Sequence, residues 1–239
     1  MNAACTMFRS PSGPAEPKVA DENALRRHIC EIGRRMYEKN FVAANDGNIS
    51  CRLDSDRYLC TPTNVSKGFM TPEMIAVVHG DGRQLAGDLP RTSEVLMHLE
   101  IYRAMPAVQA VVHAHPPHAT AFAVTDADLP RGILPEVEVL LGEVKRTEYR
   151  TPGTRTFASN IVPQLKGNVN TILLSNHGVV SFDGSIEQAY FHIETLEMYC
   201  HILLISGQIG KLRPLSDEQM RELLESTGRA SPTTDSGGR

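Results

Sequence analysis

The apolar positions at the start of the chain recur every three or four residues. Leu25, Ile29, Ile32 and Met36 follow this spacing within residues 21–40, and arginine and glutamate occupy the opposite side. A period near 3.6 places such residues on one face of a helix. The pattern predicts an amphipathic first helix.

After this helix, short runs rich in β-forming residues replace the helical spacing. NISCRL, RYLCTP and MIAVVHGDGRQLAG predict strands, with Asp81-Gly82 as a hairpin turn. VQAVVHA and NTILLSNHGVVSFDG predict further strands, the latter broken at Asn176-His177-Gly178. Several strand pairs are joined by too few residues for a parallel crossover, which favours a mainly antiparallel sheet.

Helical patterns alternate with these strands. RTSEVLMHLEIYRAMP predicts a helix that Thr92 or Ser93 caps, with Glu94 in its first turn and Pro106 at its end. PPHATAFAV predicts a helix entered through proline, and two more helices are expected near 185–207 and 216–226. The interleaved elements predict an α/β fold, a single three-layer αβα domain whose central, mainly antiparallel sheet is flanked by helices.

The length of 239 residues suits one such domain, and residues 21–227 contain no linker. We expect residues 1–20, rich in proline, serine and alanine, to form a flexible N-terminal arm. We expect residues 228–239, which are small, polar and glycine-rich, to form a disordered tail.

Composition narrows the possible partners. The 24 Lys+Arg against 28 Asp+Glu give a net charge of −4 without a basic stripe, so no nucleic-acid partner is expected. No apolar run approaches the roughly 18 residues of a membrane helix, so no membrane partner is expected. The same charge balance suits a small polar substrate. Five cysteines without a CxxC pair argue against a disulfide framework or a thiolate zinc cluster and indicate a cytoplasmic protein.

Two histidines end one of the predicted strands. In VVHAHPPHAT, residues 111–120, His113 and His115 lie two positions apart and therefore on the same face. Such a pair alone is more often structural than metal-binding, and a metal site needs a third ligand. His177, in the break between two strands, is the candidate, although a plain surface turn is the alternative. Three imidazoles with open positions are typical of a catalytic zinc site, and His118 is expected to line its cavity.

Polar turns supply a second candidate feature. NDGNIS (45–50) and TPTNVSKG (61–68) offer backbone N–H groups and hydroxyls that suit an anion, with ordinary loops as the alternative. The predicted helix start at Thr92-Ser93 adds free N–H groups and a dipole that favour phosphate. Glu94 follows directly, and beside a metal and a phosphate it is the candidate base.

With NDGNIS, TPT, TSE, HAHPPHAT and SNHG in this order, the chain resembles the class II aldolase/adducin family, in particular zinc aldolases of the L-fuculose-1-phosphate aldolase type. The similarity covers about residues 24–205. The resemblance implies a cytoplasmic homotetramer with active sites at the subunit interfaces. It also implies a metal-dependent lyase, an aldolase that cleaves a phosphorylated sugar to dihydroxyacetone phosphate and an aldehyde through a metal-stabilised enediolate. The 1-phosphoketose could resemble fuculose 1-phosphate, or 5-deoxy- or 5-methylthio-ribulose 1-phosphate.

The resemblance further implies residue roles. One divalent metal per subunit is expected, Zn2+ first and Mn2+, Co2+ or Fe2+ as alternatives, with Glu94 as the acid/base. The metal ligands implied are His113, His115 and His177, and the phosphate is assigned to Asn48, Thr63, Asn64, Thr92 and Ser93.

The chain departs from the family pattern at two positions. Asn64 replaces the glycine of the TPTG turn, and asparagine tolerates positive φ better than most residues. A tyrosine that serves fuculose aldolases as proton donor aligns with Leu134, which leaves Tyr149, Tyr102 or a water as candidates.

Two other kinds of function stay open from the sequence. The same scaffold can support a dehydratase, a decarboxylase or an epimerase of a sugar phosphate or related acid, although the epimerases carry aspartate at the position of Glu94. A non-enzymatic interaction module like the adducin head is a more distant alternative.

Overall fold

Eight strands and seven α-helices follow one another in the computed structural model, which describes residues 21–228. The predicted arm, 1–20, lies outside the described residues, as do residues 229–239 of the predicted tail. The strands are β1 (Asn48–Arg52), β2 (Arg57–Cys60), β3 (Ala76–His79), β4 (Gln84–Ala86), β5 (Ala110–Ala114), β6 (Lys145–Thr147), β7 (Thr171–Leu174) and β8 (Gly178–Asp183). The helices are α1 (Glu22–Glu38), α2 (Val95–Ala104), α3 (Pro117–Ala123), α4 (Pro135–Leu140), α5 (Arg155–Ser159), α6 (Ile186–Ile209) and α7 (Asp217–Ser226).

All eight strands join one sheet in the order β4-β3-β2-β1-β5-β8-β7-β6. Every neighbouring pair is antiparallel except β6 and β7, which are parallel. The predicted mainly antiparallel sheet is therefore confirmed. The strand that carries His113 is β5, near the centre of the sheet, between β1 and β8.

The two faces of the sheet carry separate apolar layers because side chains alternate along each strand. Val112 belongs to the core beneath α1, α3 and α6, whereas Val111 belongs to the core beneath α2 and α5. This alternation produces the three-layer αβα arrangement that the sequence predicts. Among the described residues, no helix combines the length and apolar character needed to cross a membrane.

The first helix matches its predicted apolar stripe. Ile29, Ile32 and Met36 are buried in α1, and Leu25 packs partly buried at the edge of the same core. Gly33 lies on this face, where a Cβ would approach Lys67 O to 2.7 Å. The missing side chain therefore lets α1 pack closely against residues 67–70, which border the cleft described below.

Candidate metal and anion site

Three imidazoles converge where β5 ends and β8 begins. His113 Nε2 lies 3.1 Å from His115 Nε2, and the ligand nitrogens of His113, His115 and His177 all lie within 4.8 Å of one another. His113 is buried, while the other two are partly exposed towards a cleft. The structure therefore brings together the three histidines that the sequence singled out.

Backbone register explains how this cluster forms. His113 is next to last in β5 and lies opposite Asn48 on β1 and Val180 on β8, so both neighbouring strands fix its position. His177 belongs to the turn that joins β7 to β8, with Asn176 at a positive φ of 56°. Only one residue separates His113 from His115, so the strand periodicity brings their rings together.

Contacts behind the cluster orient two of the rings. His113 Nδ1 lies 2.8 Å from Val179 O, so Nδ1–H donates to this carbonyl and Nε2 keeps its lone pair for the cleft. His115 Nδ1 lies 3.4 Å from a carboxylate oxygen of Asp46. His177 Nδ1 is buried and has no partner within the described part of the chain.

Burial keeps the three imidazoles neutral at neutral pH. It lowers the pKa of His113 well below its ordinary value, and the neighbouring imidazoles lower that pKa further. Burial first, and His115 second, lower the pKa of His177 to about 4. Burial also lowers the pKa of His115, although Asp46 opposes this shift. A metal ion binds neutral imidazole, so the cluster is already in the protonation state that a cation requires.

The carboxylate of Glu94 lies directly beside the imidazoles. Its two oxygens are 3.3 Å from His113 Nε2 and 3.4 Å from His177 Nε2. Asn48 Nδ2 donates to Glu94 Oε2 over 2.8 Å. Burial raises the pKa of Glu94, the Asn48 amide lowers it in part, and the charge of Asp46 raises it. These shifts favour a carboxyl group that gains and loses a proton more readily near neutral pH than an exposed glutamate does.

The donor set fits a divalent cation of the borderline class. Three neutral nitrogen donors that open onto a cleft are typical of catalytic sites for zinc, and they also suit manganese, cobalt or iron. The four cysteines within the described residues are free, and none contributes to this cluster.

Hydroxyls and amides extend the site away from the imidazoles into a cleft of about 150 Å³. Of the nine residues that the sequence and the resemblance single out, eight line this cleft and Asn64 does not. Asn64 is exposed beside it, has a φ of 57° and accepts a 3.4 Å hydrogen bond from the Asn45 amide. The positive φ explains how asparagine replaces glycine in this turn. The lining residues are Asn45, Asp46, Gly47, Asn48, Pro62, Thr63, Lys67, Thr92, Ser93, Glu94, His113, His115 and His177.

The start of α2 differs from its prediction. Glu94 occupies the N-cap position rather than the first turn, and no side chain caps the helix. Thr92 N–H donates to Thr61 O, and Thr63 N–H donates to Pro90 O, so neither amide is free for an anion. Pairing between the two segments, around the Pro62–Arg91 bridge, uses these amides. Ser93 is exposed and makes no hydrogen bond within the described chain, which leaves its N–H and hydroxyl as the free donors here.

The prediction that His118 lines the metal cavity is wrong. His118 Nδ1 lies 2.7 Å from Glu197, and its ring stacks on His201 at 4.0 Å. Glu197 also accepts the N–H groups of His118 and Ala119, so a carboxylate from α6 serves the start of α3. His118 therefore lines a separate cleft of about 780 Å³, whereas His113 lines the cleft of the imidazole cluster.

The tyrosines that the sequence left open as proton donors do not line the cleft. Tyr102 is buried beside Ser50, 2.9 Å from its hydroxyl. Tyr149 is exposed on the segment after β6. Leu134 lines the same separate cleft as His118, within this chain.

Two charged residues of the cleft were missed as site residues by sequence reasoning. Asp46 lies in the NDGNIS turn, where it brings a carboxylate towards His115 rather than a donor for an anion. Lys67 lies in the TPTNVSKG segment, and only 1% of its surface is exposed. A charged residue within each of the two polar turns was the available signal in the sequence.

Comparison with known proteins finds relatives that match most of the chain. A 3-oxo-tetronate 4-phosphate decarboxylase of Escherichia coli (strain K12) is 31% identical over 206 residues, which cover 84% of this chain and 96% of that protein. An L-fuculose phosphate aldolase of Methanococcus maripaludis is 34% identical over 179 residues, 75% of this chain and 96% of that protein. The crystal structure of YgbL, a putative aldolase/epimerase/decarboxylase from Escherichia coli, superposes with a TM-score of 0.77 at 30% identity, covering 84% of this chain and 98% of that one.

A family model also matches most of the chain. The family model described as Class II Aldolase and Adducin N-terminal domain matches residues 27–204. This range includes the imidazole cluster, Glu94 and the polar turns. The chain therefore belongs to the class II aldolase and adducin N-terminal domain family.

Proposed function

We propose that the protein is a metal-dependent carbon–carbon lyase that acts on a small phosphorylated sugar or sugar acid and forms dihydroxyacetone phosphate through its enediolate. The observation that carries the proposal is the position of Glu94. Its carboxylate lies 3.3 and 3.4 Å from two imidazole nitrogens of the three-histidine cluster and opens onto a cleft with hydroxyl donors.

The residues that would hold the metal are His113, His115 and His177. Zinc is the first expectation, with manganese, cobalt or iron as alternatives. A divalent ion bound there supplies Lewis acidity towards the substrate carbonyl.

Residues of the chain itself carry the binding and proton-transfer steps. The hydroxyls of Thr63 and Thr92 and both donors of Ser93 hold the phosphate, next to the exposed turn at Asn64. Asn48 fixes one oxygen of Glu94 through its amide, which the structure shows as a 2.8 Å hydrogen bond. Glu94 in its acid form gives its proton to the carbon of the enediolate and so forms dihydroxyacetone phosphate; in reverse, its carboxylate removes that proton.

Decarboxylation of a 3-oxo acid phosphate is the reaction we place first. In 3-oxo-tetronate 4-phosphate the C1–C2 bond breaks, carbon dioxide leaves, and the electron pair stays on C2 in conjugation with the C3 carbonyl. Protonation of C2 by Glu94 then gives dihydroxyacetone phosphate. Carbon dioxide leaves without a proton transfer, so this reaction needs no counterpart of the tyrosine that aligns with Leu134.

Aldol cleavage of a 1-phosphoketose is the second candidate, and the 34% identity to an L-fuculose phosphate aldolase favours it. Here the C3–C4 bond breaks after the C4 hydroxyl has lost its proton, and the enediolate is the same. This route needs a group that takes the C4 hydroxyl proton, and neither Tyr102 nor Tyr149 of the same chain lines the cleft.

The two reactions separate in one assay. Metal-loaded protein is given 3-oxo-tetronate 4-phosphate and, separately, a panel of 1-phosphoketoses, and dihydroxyacetone phosphate, carbon dioxide and aldehyde are measured. Carbon dioxide with dihydroxyacetone phosphate supports decarboxylation, and an aldehyde with dihydroxyacetone phosphate supports aldol cleavage. Water loss, epimerisation or no turnover of either substrate class contradicts the proposal.

We also propose that the protein forms a homotetramer. Large apolar side chains are exposed along α6, which suits burial against another copy of the chain: Phe191, Met198, Leu204, Ile205 and Ile209. Light scattering during gel filtration is expected to give four times the 26.3 kDa chain mass. A monomer mass at micromolar concentration contradicts it.

A further inference from the structure

We infer that Lys67 is the fixed cation that neutralises the substrate phosphate, an inference that rests on the proposed function. Among the thirteen residues that line the cleft, Lys67 is the only lysine or arginine, while Asp46 and Glu94 are acidic. A phosphate that entered beside two carboxylates without a compensating cation would be repelled by both. The ammonium group of Lys67 supplies that compensation.

The hydrogen bonds of Lys67 leave one donor free. Its Nζ donates to Asn45 O over 2.9 Å and to Val65 O over 2.6 Å. An ammonium group has three protons, so two bonds to neutral carbonyls leave a third proton without a partner among residues 21–228. Both carbonyls belong to the polar turns that form the cleft walls, and Thr63 lies two residues before Val65. Thr63 and Lys67 line the same cleft, so the third N–H is available to an anion held there.

The backbone that carries Lys67 is packed closely against α1, and two hydrogen bonds hold the ammonium group beside the cleft. A Cβ at Gly68 would lie 2.5 Å from the Tyr37 ring, and a Cβ at Gly33 would lie 2.7 Å from Lys67 O. Both glycines let α1 pack against the segment that carries Lys67. Burial also lowers the pKa of Lys67 to about 8, while the charge of Asp46 raises it. An anion that binds beside it would restore a more favourable environment for the protonated form.

The test compares phosphate binding by matched lysine variants of the metal-loaded protein. Lys67→Met removes the charge and keeps most of the side-chain length. Lys145→Met is the control, because Lys145 Nζ also donates to a backbone carbonyl, Lys166 O over 2.8 Å, but lies outside the cleft. Calorimetry in phosphate-free buffer measures the affinity of each protein for inorganic phosphate and for dihydroxyacetone phosphate. Dihydroxyacetone serves as the probe that lacks a phosphate group.

Lys67→Met is expected to weaken the binding of dihydroxyacetone phosphate about 10- to 100-fold, which is the range for a lost charge-assisted hydrogen bond. Metal content and dihydroxyacetone binding are expected to stay unchanged. In turnover, KM is expected to rise more than kcat falls. Binding of both phosphates within threefold of wild type overturns the inference. If wild type binds inorganic phosphate through Lys67 but turns over no substrate, the proposed function fails and the role of Lys67 stands.

A second measurement covers the case in which Lys67→Met does not fold. Wild-type protein labelled with ¹⁵N-lysine is titrated with inorganic phosphate and followed by NMR, with Lys67→Arg used for assignment. The Nζ resonance of Lys67 is expected to shift at saturation while that of Lys145 does not. An unshifted Lys67 resonance in the phosphate-saturated protein overturns the inference.

Discussion

A methyl group added at Gly178 tests whether the imidazole cluster depends on close backbone packing. Gly178 begins β8 directly after His177. A Cβ there would lie 2.5 Å from His115 Cδ2 and 2.6 Å from Ala114 O, whereas ordinary Cβ contacts begin at 3.4 Å. The new methyl group therefore meets a metal-ligand ring on one side and a backbone carbonyl on the other.

The carbonyl cannot yield easily, because Ala114 is paired with Val179 in the β5–β8 ladder. The ring of His115 is the part that moves. Overpacking of this kind costs about 1–3 kcal/mol of folding free energy. Disturbing the support of a metal ligand commonly weakens metal affinity about 10- to 100-fold. Gly178→Ala is therefore expected to weaken metal binding within that range while the sheet still forms.

Metal affinity is measured by competition with a chromophoric chelator, and the unfolding free energy of the metal-free protein by urea titration. Gly184→Ala is the matched control, because Gly184 follows β8 and a Cβ there would have no atom within 4 Å. It is expected to bind metal as wild type does. Equal metal affinity in Gly178→Ala and wild type would refute the claim that His115 needs this space.

Two further predictions concern protonation. Asn48→Ala removes the amide that lowers the pKa of Glu94, so the acidic limb of the pH profile for proton removal from dihydroxyacetone phosphate should move to higher pH; an unchanged limb argues against Glu94 as the base. Burial lowers the pKa of His98 to about 3, below the ordinary value of about 6.5. As the pH falls, His98 is therefore protonated in the unfolded state before it is protonated in the folded state. The stability that is present above pH 6.5 is lost as the pH falls towards 3. The loss of unfolding free energy from this group is on the order of 5 kcal/mol at pH 3. Urea titrations of the metal-free protein should therefore show that the unfolding free energy of wild type falls more steeply over this pH interval than that of His98→Asn. Parallel pH dependences of the two proteins contradict the prediction.

The sequence predicts those parts of the site that depend on local spacing. The period of two along β5 brings His113 and His115 to one face, and the break between β7 and β8 delivers His177. The asparagine in the TPT turn indicates a positive φ, and Asn64 has one. These features follow from the conformation of a few neighbouring residues.

The parts that sequence reasoning missed depend on contacts between distant segments. His118 follows His115 by three residues, but Glu197, 79 positions later, draws its ring to α6. Thr92 and Ser93 look like helix caps in the sequence. In the structure, Thr92 N–H donates to Thr61 O where two loops pair. No periodicity reports such contacts, because they form only when the sheet brings the segments together.

The measurement that tests the central claim most directly is proton exchange on dihydroxyacetone phosphate. Wild-type protein loaded with zinc, manganese, cobalt or iron is incubated with dihydroxyacetone phosphate in D₂O, and deuterium at the hydroxymethyl carbon is followed by NMR. We expect exchange of one hydrogen with loaded wild type, and its loss with a chelator or in Glu94→Gln that keeps metal and fold. No exchange with any of the four metals, or near-normal exchange in metal-loaded Glu94→Gln, would contradict the account.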